Sequence, residues 1–279
     1  MATNSLDAVL AQYEKAQQTG NFTPKMSQED RMKRYFAAIL GDNEKQGQKR
    51  LRILPTADGS SPFVEAMFHE MLIDGKYIKL YDPAMDNERS PLNEVYEELL
   101  IEGDKKLASE YKSRKFYIVK VIDRDNESDG VKFWRFKHNY KNEGILDKII
   151  PIWRAKGDIT DPDNGRDIIL ELTKAKTPKG ATYTVIQTVM YDDPAPVHEN
   201  KETANSWIKD ELTWEDVYSK KPEEYLEAIA RGETPRWDSD KGGYVYGDSS
   251  QGEISMGGES KKEYSDPQAN AEPDEDMPF

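Results

Sequence analysis

Between Gln48 and Met190 the apolar residues of this 279-residue chain come in short runs closed by turn signals, a spacing that suits short β-strands rather than long helices. The runs are Leu51 to Leu54, Phe63 to Leu72, Tyr77 to Leu80, Lys115 to Asp123, Val131 to Lys137, Arg166 to Lys176 and Thr182 to Met190. Asp74-Gly75 is a hairpin signal, and Asn126 to Gly130 and Pro178-Lys179-Gly180 are polar turns. A helical insertion over 91–112 and a short helix over 144–150 interrupt the strands. The expected fold is mainly β with helical insertions: an OB-fold, a small partly open β-barrel, rather than a layered α/β sheet.

The flanks read differently. Residues 5–18 read as a short capped helix with Leu6, Val9, Leu10 and Tyr13 on one face, and a second helix is expected from Ser27 to Leu40, stopped by Gly41. After Tyr191, Pro194 and Pro196 mark a linker, Thr213 to Arg231 reads as acidic amphipathic helix interrupted near Pro222, and Arg236 to Tyr246 as a small hairpin. From Gly247 onward the composition cannot bury enough apolar area to offset chain entropy, so a disordered tail is expected. The expected units are a helical N-terminal arm (1–45), the OB-fold core (46–195), an acidic C-terminal region (196–246) and the tail (247–279).

The formal charge of -14 argues against a polyanionic ligand only while it is averaged over the chain. Residues 1–191 carry 30 Lys and Arg against 30 Asp and Glu, and residues 192–279 carry 9 against 23, so the whole excess lies in the C-terminal part. Residues 111–156 hold 12 basic side chains against 6 acidic ones, which makes a local basic surface available.

Cysteine is absent and there are three histidines, which excludes disulfides, thiolate metal sites and cysteine nucleophiles. No run of eighteen apolar residues and no signal-peptide pattern occurs, so a soluble protein is expected, with no membrane partner. Asp125-x-Glu127-x-Asp129-Gly130 imitates a calcium loop, but Phe136 stands where the bidentate Glu is needed, so it reads as a solvated turn, as does Asp161 to Gly165. No phosphate loop, nucleophile elbow or two-metal carboxylate spacing is present; no cofactor and no catalysed reaction are expected.

A single strand of nucleic acid presents phosphates and open base faces, so its binder needs cations interleaved with rings on strands. Three segments meet that requirement: Lys112, Arg114, Lys115, Phe116 and Tyr117; Lys132, Trp134, Arg135 and Lys137 with Tyr140; and Lys174, Lys176, Lys179 and Tyr183. Arg50 and Arg52 on the first strand would extend the same groove. The alternative is that the rings are core and the cations a solvated face, which is the usual fate of any one such segment. At the C-terminus, Asp274, Glu275, Asp276, Met277, Pro278 and Phe279 put carboxylates before an apolar tip, a form that a partner's pocket with a basic rim can hold.

In Leu51-Arg52-Ile53-Leu54-Pro55, Pro62-Phe63, Gly75-Lys76-Tyr77-Ile78, Trp134-Arg135-Phe136 and Leu146-Asp147-Lys148-Ile149, taken in order, the chain resembles the single-stranded-DNA-binding proteins of T-even and related bacteriophages. The resemblance, from about Gln48 to Pro194, implies an OB-fold with a basic, aromatic-lined cleft and an N-terminal arm for cooperative assembly. It implies stacking roles for Trp134, Tyr183 and Phe116 or Tyr117, and phosphate contacts for Lys112, Arg114 and Lys115. Many members hold zinc with one His and three Cys; His69 matches the histidine, but without cysteines it is expected to be an ordinary strand residue. The family's short basic N-terminal motif is missing, and the tail tip is more similar to that of bacterial single-stranded-DNA-binding proteins.

The expected function is to coat and protect single-stranded DNA in phage replication, recombination and repair, in the cytoplasm of the infected bacterium. The tail would recruit polymerase, primase, helicase or nuclease, and the N-terminal arm would mediate self-association. The alternatives are a recombination annealing protein or single-stranded-RNA binder, and an acidic interaction protein that binds no nucleic acid.

Overall fold

Residues 26–246, except 74, 178, 179, 181, 219 and 239–242, are described by a computed structural model of the chain. Eight strands form one mixed sheet: β1 (Tyr35–Phe36), β2 (Gln46–Ile53), β3 (Val64–Ile73), β4 (Lys76–Tyr81), β5 (Ser113–Asp123), β6 (Val131–Lys137), β7 (Arg166–Lys176) and β8 (Thr182–Pro194). The order is β1-β6-β5-β2-β7-β8, with β3 pairing β5 and carrying β4. Seven helices accompany it among the described residues: α1 (Gln28–Lys33), α2 (Pro91–Glu102), α3 (Lys105–Tyr111), α4 (Ile145–Lys156), α5 (Lys201–Ile208), α6 (Trp214–Val217) and α7 (Glu223–Ala230). A separate hairpin joins β9 (Arg236–Asp238) to β10 (Gly243–Val245). The fold is thus mainly β with several helices; the described strands do not close into a barrel. No described helix is long and apolar enough to cross a membrane.

Alternation decides which side chains meet. Leu51 and Ile53, Tyr117, Val119 and Val121, Trp134 and Phe136, and Ile168, Leu170 and Leu172 project from one face of their strands into a single core. Strands from both ends of the order share that core, so the sheet curls around it. Helix α4 covers it with Ile145, Ile149 and Ile152, the stripe of an amphipathic helix. Gly165 is required beside it: a Cβ there would lie 2.4 Å from the Asp161 carbonyl oxygen. Gly75 closes the β3–β4 hairpin at φ +73, in the left-handed region.

The helix expected from Ser27 to Leu40 stops at Lys33. Ser27 caps it as foreseen, its Oγ accepting from Asp30 N at 3.0 Å. Tyr35 and Phe36 then pair in parallel with Phe133 and Trp134, and Phe36, Ala38 and Leu40 are buried at every second position. Burial in the sheet overrides helix propensity. Leu40 N donates to Thr184 Oγ1 at 3.0 Å, bringing the β7–β8 hairpin against the segment that runs beside β6. Residues 35–40 are therefore part of the core rather than of an arm; the helix expected over 5–18 lies outside the described residues.

The acidic C-terminal region is packed onto the sheet. Val197 and Ala204 lie against Leu54, Ile122 and Val131, while Val217 and Tyr218 lie against Phe68, Phe116 and Phe133. Tyr225, Leu226 and Ile229 of α7 then pack on Met71, Leu80 and Leu92, on the opposite face of the β3–β4 hairpin. Arg89 ties α2 to α7, pairing with Glu94 at 2.7 Å and with Glu223 and Glu227. Deleting residues 197–246 would uncover Phe68, Phe116, Ile118 and Phe133, each contributing about 1.5–3 kcal/mol by burial, against a domain stability of about 5–15 kcal/mol. The expected result is insoluble protein or loss of a cooperative thermal transition by circular dichroism; a soluble fragment with the wild-type melting temperature would refute it.

Candidate nucleic-acid interface

Strands β5 and β6 are buried on both faces. Residues with odd numbers on β5 and even numbers on β6 face the core under α4; their neighbours face the cover formed by the C-terminal region. Trp134 is 0% exposed, its ring 5.7 Å from Phe36 and 4.6 Å from Phe136, and Phe116 and Tyr117 are 2% and 8% exposed. These three expected stacking rings are core residues, because each face of the strands already has a layer against it. Tyr183 is half-buried on β8, on the opposite face of the β7–β8 hairpin from Lys174 and Lys176.

Several expected phosphate ligands are also committed elsewhere. Arg52 is buried and its Nε donates to Asp167 at 2.6 Å; Arg50 pairs with Asp167 at 2.9 Å and Asp192 at 2.8 Å. Lys132 is buried between Asp123 (3.2 Å) and Asp129 (2.8 Å). The Arg135 guanidinium lies over the rings of Tyr218 (4.3 Å) and Phe68 (4.6 Å), under the C-terminal cover. Lys174 Nζ donates to Leu40 O at 3.3 Å, and Lys176 is exposed. Lys179 and residues 274–279 lie outside the described residues.

What the fold does bring together is the end of the sheet where β5 begins and β6 finishes. His138 N donates to Lys115 O at 2.9 Å, extending the β5–β6 pairing by one step; Lys112, Arg114 and Lys115 stand at the start of β5, and Lys137, His138 and Tyr140 at and just after the end of β6. Tyr140 is 75% exposed, its ring edge-on to His138 at 4.3 Å. Register puts Lys137, Arg114, Glu70 and Lys79 on one face of four adjacent strands, β6, β5, β3 and β4. Glu70 draws Lys137 (3.0 Å), Arg114 (3.6 Å) and Lys79 (3.9 Å) to one point. Beyond them, Tyr77 lies opposite Leu72 on the same face and is 59% exposed. On the other face Lys115 pairs with Glu65 at 2.8 Å, a hydrogen bond that raises the lysine's pKa.

This lip contains five residues expected from sequence, Lys112, Arg114, Lys115, Lys137 and Tyr140. Sequence reasoning missed Lys79 and Tyr77; the alternation of Tyr77, Lys79 and Tyr81 on β4 was the available signal. His69 lies in β3, as expected of a strand residue, and is fully buried, with Nδ1 2.6 Å from Tyr111 O and Nε2 3.6 Å from Asp82 Oδ1. The imitation calcium loop is a 3-10 turn whose acids pair with cations, Asp125 with Lys49 and Glu127 with Arg124. No protein-family model matches the sequence, and no curated protein is significantly similar to it.

Proposed function

We propose that the chain is a non-enzymatic, sequence-nonspecific single-stranded-DNA-binding protein of phage replication, recombination and repair, acting in the host cytoplasm. The observation that carries this function is the lip, where cations and exposed rings of β4, β5, β6 and the residues next to them share one end of the sheet. An OB-fold is supported by the order β6-β5-β2-β7-β8 and by α4 lying between β6 and β7. In such folds oligonucleotides bind the second and third strands and the loops joining strands one to two and four to five. On that assignment these are β5, β6, the insertion between β2 and β5, and the β7–β8 hairpin. The C-terminal cover fills the middle of the β5–β6 outer face, so the strand follows the lip.

Titration of a labelled dT oligomer at several salt concentrations tests this function. If Lys112, Arg114, Lys115 and Lys137 each neutralise a phosphate, log affinity falls by about 3 per decade of salt, and Lys112→Glu lowers that slope by about 0.7. Salt-independent or absent binding excludes the function. The second assignment, an acidic protein that binds no nucleic acid, is favoured by the burial of Trp134, Phe116 and Tyr117, and the same titration decides between the two.

A further inference from the structure

The polar groups around His69 do not suit a metal ion. Zinc needs several lone pairs converging on a cation. The His69 Nδ1 donates to Tyr111 O at 2.6 Å, the chain has no cysteine, and among the described residues no group of three His, Cys, Asp or Glu comes together. What lies opposite His69 is a single buried carboxylate, Asp82.

That carboxylate is surrounded by donors. Asn93 Nδ2 donates to both its oxygens, at 3.1 and 2.9 Å, and Ala84 N donates to Oδ1 at 3.1 Å. Ser90 Oγ, Ser113 Oγ and His69 Nε2 are buried without a hydrogen-bond partner among the described residues; they act with Asn93 to lower the pKa of the same carboxylate against its burial, and His69 Nε2 lies 3.6 Å from its Oδ1. The groups come from β3 (His69), the turn after β4 (Asp82, Ala84), the cap and first turn of α2 (Ser90, Asn93) and the start of β5 (Ser113); the end of α3 joins through Tyr111.

We propose that the insertion between β2 and β5 is organised by an anion-centred cluster, Asp82 with His69, Asn93, Ser90 and Ser113, and not by a metal ion. The polarity is the inverse of a metal centre: the charge in the middle is negative, and Asn93 Nδ2 and Ala84 N donate to it. The cluster fixes α2 and α3 against the hairpin, and through them the course of Lys112 to Lys115 into the lip.

The full-length protein is melted with and without a strong chelator, and again with added zinc sulfate, beside Asp82→Ala and Asn93→Ala. The expected wild-type melting temperature is the same in all three solutions, with Asp82→Ala lower by about 10 °C because buried donors lose their acceptor. If Asp82→Ala does not fold, Asn93→Ala serves: it keeps the carboxylate, and amide hydrogen exchange should accelerate over residues 91–111 while the β2–β7 pairing stays protected. One equivalent of tightly bound zinc whose removal lowers the melting temperature would overturn the proposal. So would variants that melt and exchange like the wild type.

Discussion

Replacing Asp167 with alanine is expected to remove about 3–5 kcal/mol of stability, a large part of what holds a domain of this size together. Three guanidinium groups meet that one carboxylate, which is buried: Arg52 at 2.6 Å, Arg124 at 2.9 Å and Arg50 at 2.9 Å. Arg50 and Arg124 have second partners, Asp192 and Glu127. Among the described residues Arg52 has no other carboxylate within reach: it is wholly buried, its Nη1 donates to Ala195 O, and its Nη2 finds no acceptor there. Burial pulls its pKa down and Asp167 opposes that pull. Without the aspartate a cation is left in the interior with one backbone carbonyl to answer it, which costs far more than a surface pair is worth. Asp167→Asn keeps the shape and should lose most of the same stability. Urea midpoints measure both variants; an Asp167→Ala midpoint equal to the wild type would show that the cluster contributes nothing.

The same residue gives the direction of the acid response. Burial pushes the Asp167 carboxyl up, but Arg124 and Arg52 hold it below the usual range; Asp82 is likewise lowered, by His69, Ser113, Ser90 and Asn93 acting against burial. A lowered carboxyl contributes stability that is complete above its unfolded pKa, about 3.9, and is lost as pH falls through the folded value. The urea midpoint should therefore drop below about pH 4, and drop less in Asp167→Asn.

The second large effect is an exchange of roles between two rings. Trp134→Ala is expected to cost about 3–5 kcal/mol as a buried ring becomes a cavity, while the folded fraction binds the dT oligomer like the wild type. Tyr140→Ala should leave the melting temperature unchanged, because that ring is exposed, and weaken binding about 5- to 100-fold if a base stacks on it. Trp134→Phe separates size from chemistry. Its indole nitrogen is buried without a hydrogen-bond partner, so losing that N–H partly offsets the lost volume and the cost should be smaller than that of alanine. Weaker binding by folded Trp134→Ala, with Tyr140→Ala unaffected, would return the stacking surface to the strand interior.

The strands were legible from the sequence because their signals are local. Val131 to Lys137 has the expected bounds, and the Asp-Gly hairpin, the 91–112 insertion and the β7–β8 pair follow alternation and turn chemistry. The burial of a ring is not local. Phe116, Ile118 and Phe133 lie on a face that alternation alone would leave wet, and only the arrival of Val217 and Tyr218, far later in the chain, makes that face dry; Trp134 and Phe136 point the other way, into the core under α4. The same distance hid the partners of Arg52, Lys132 and Arg135, whose charges look available until Asp167, Asp123 and Tyr218 are folded against them. The grouping of five lip residues was legible because β5 and β6 pair as neighbours, although the pairing of Lys137 and Arg114 with Glu70 and of Lys115 with Glu65 was not. Helix α5 was missed because Pro194 and Pro196 suggested only a linker, and Asn200, which caps it by accepting from Glu202 N at 2.8 Å, was overlooked.

The β3–β4 hairpin has one side closed by residues 212–218 and the other by 225–229, stretches made more than 130 residues after it. Synthesis runs from the N-terminus at about 5–20 residues per second, so each nascent chain spends several seconds or more with Phe68, Met71, Leu80 and Tyr81 facing water. The molecule cannot mature stepwise behind the ribosome. Its final closure waits for residues 212–229 to emerge, and slow translation of that stretch would lengthen the interval in which chaperones are needed.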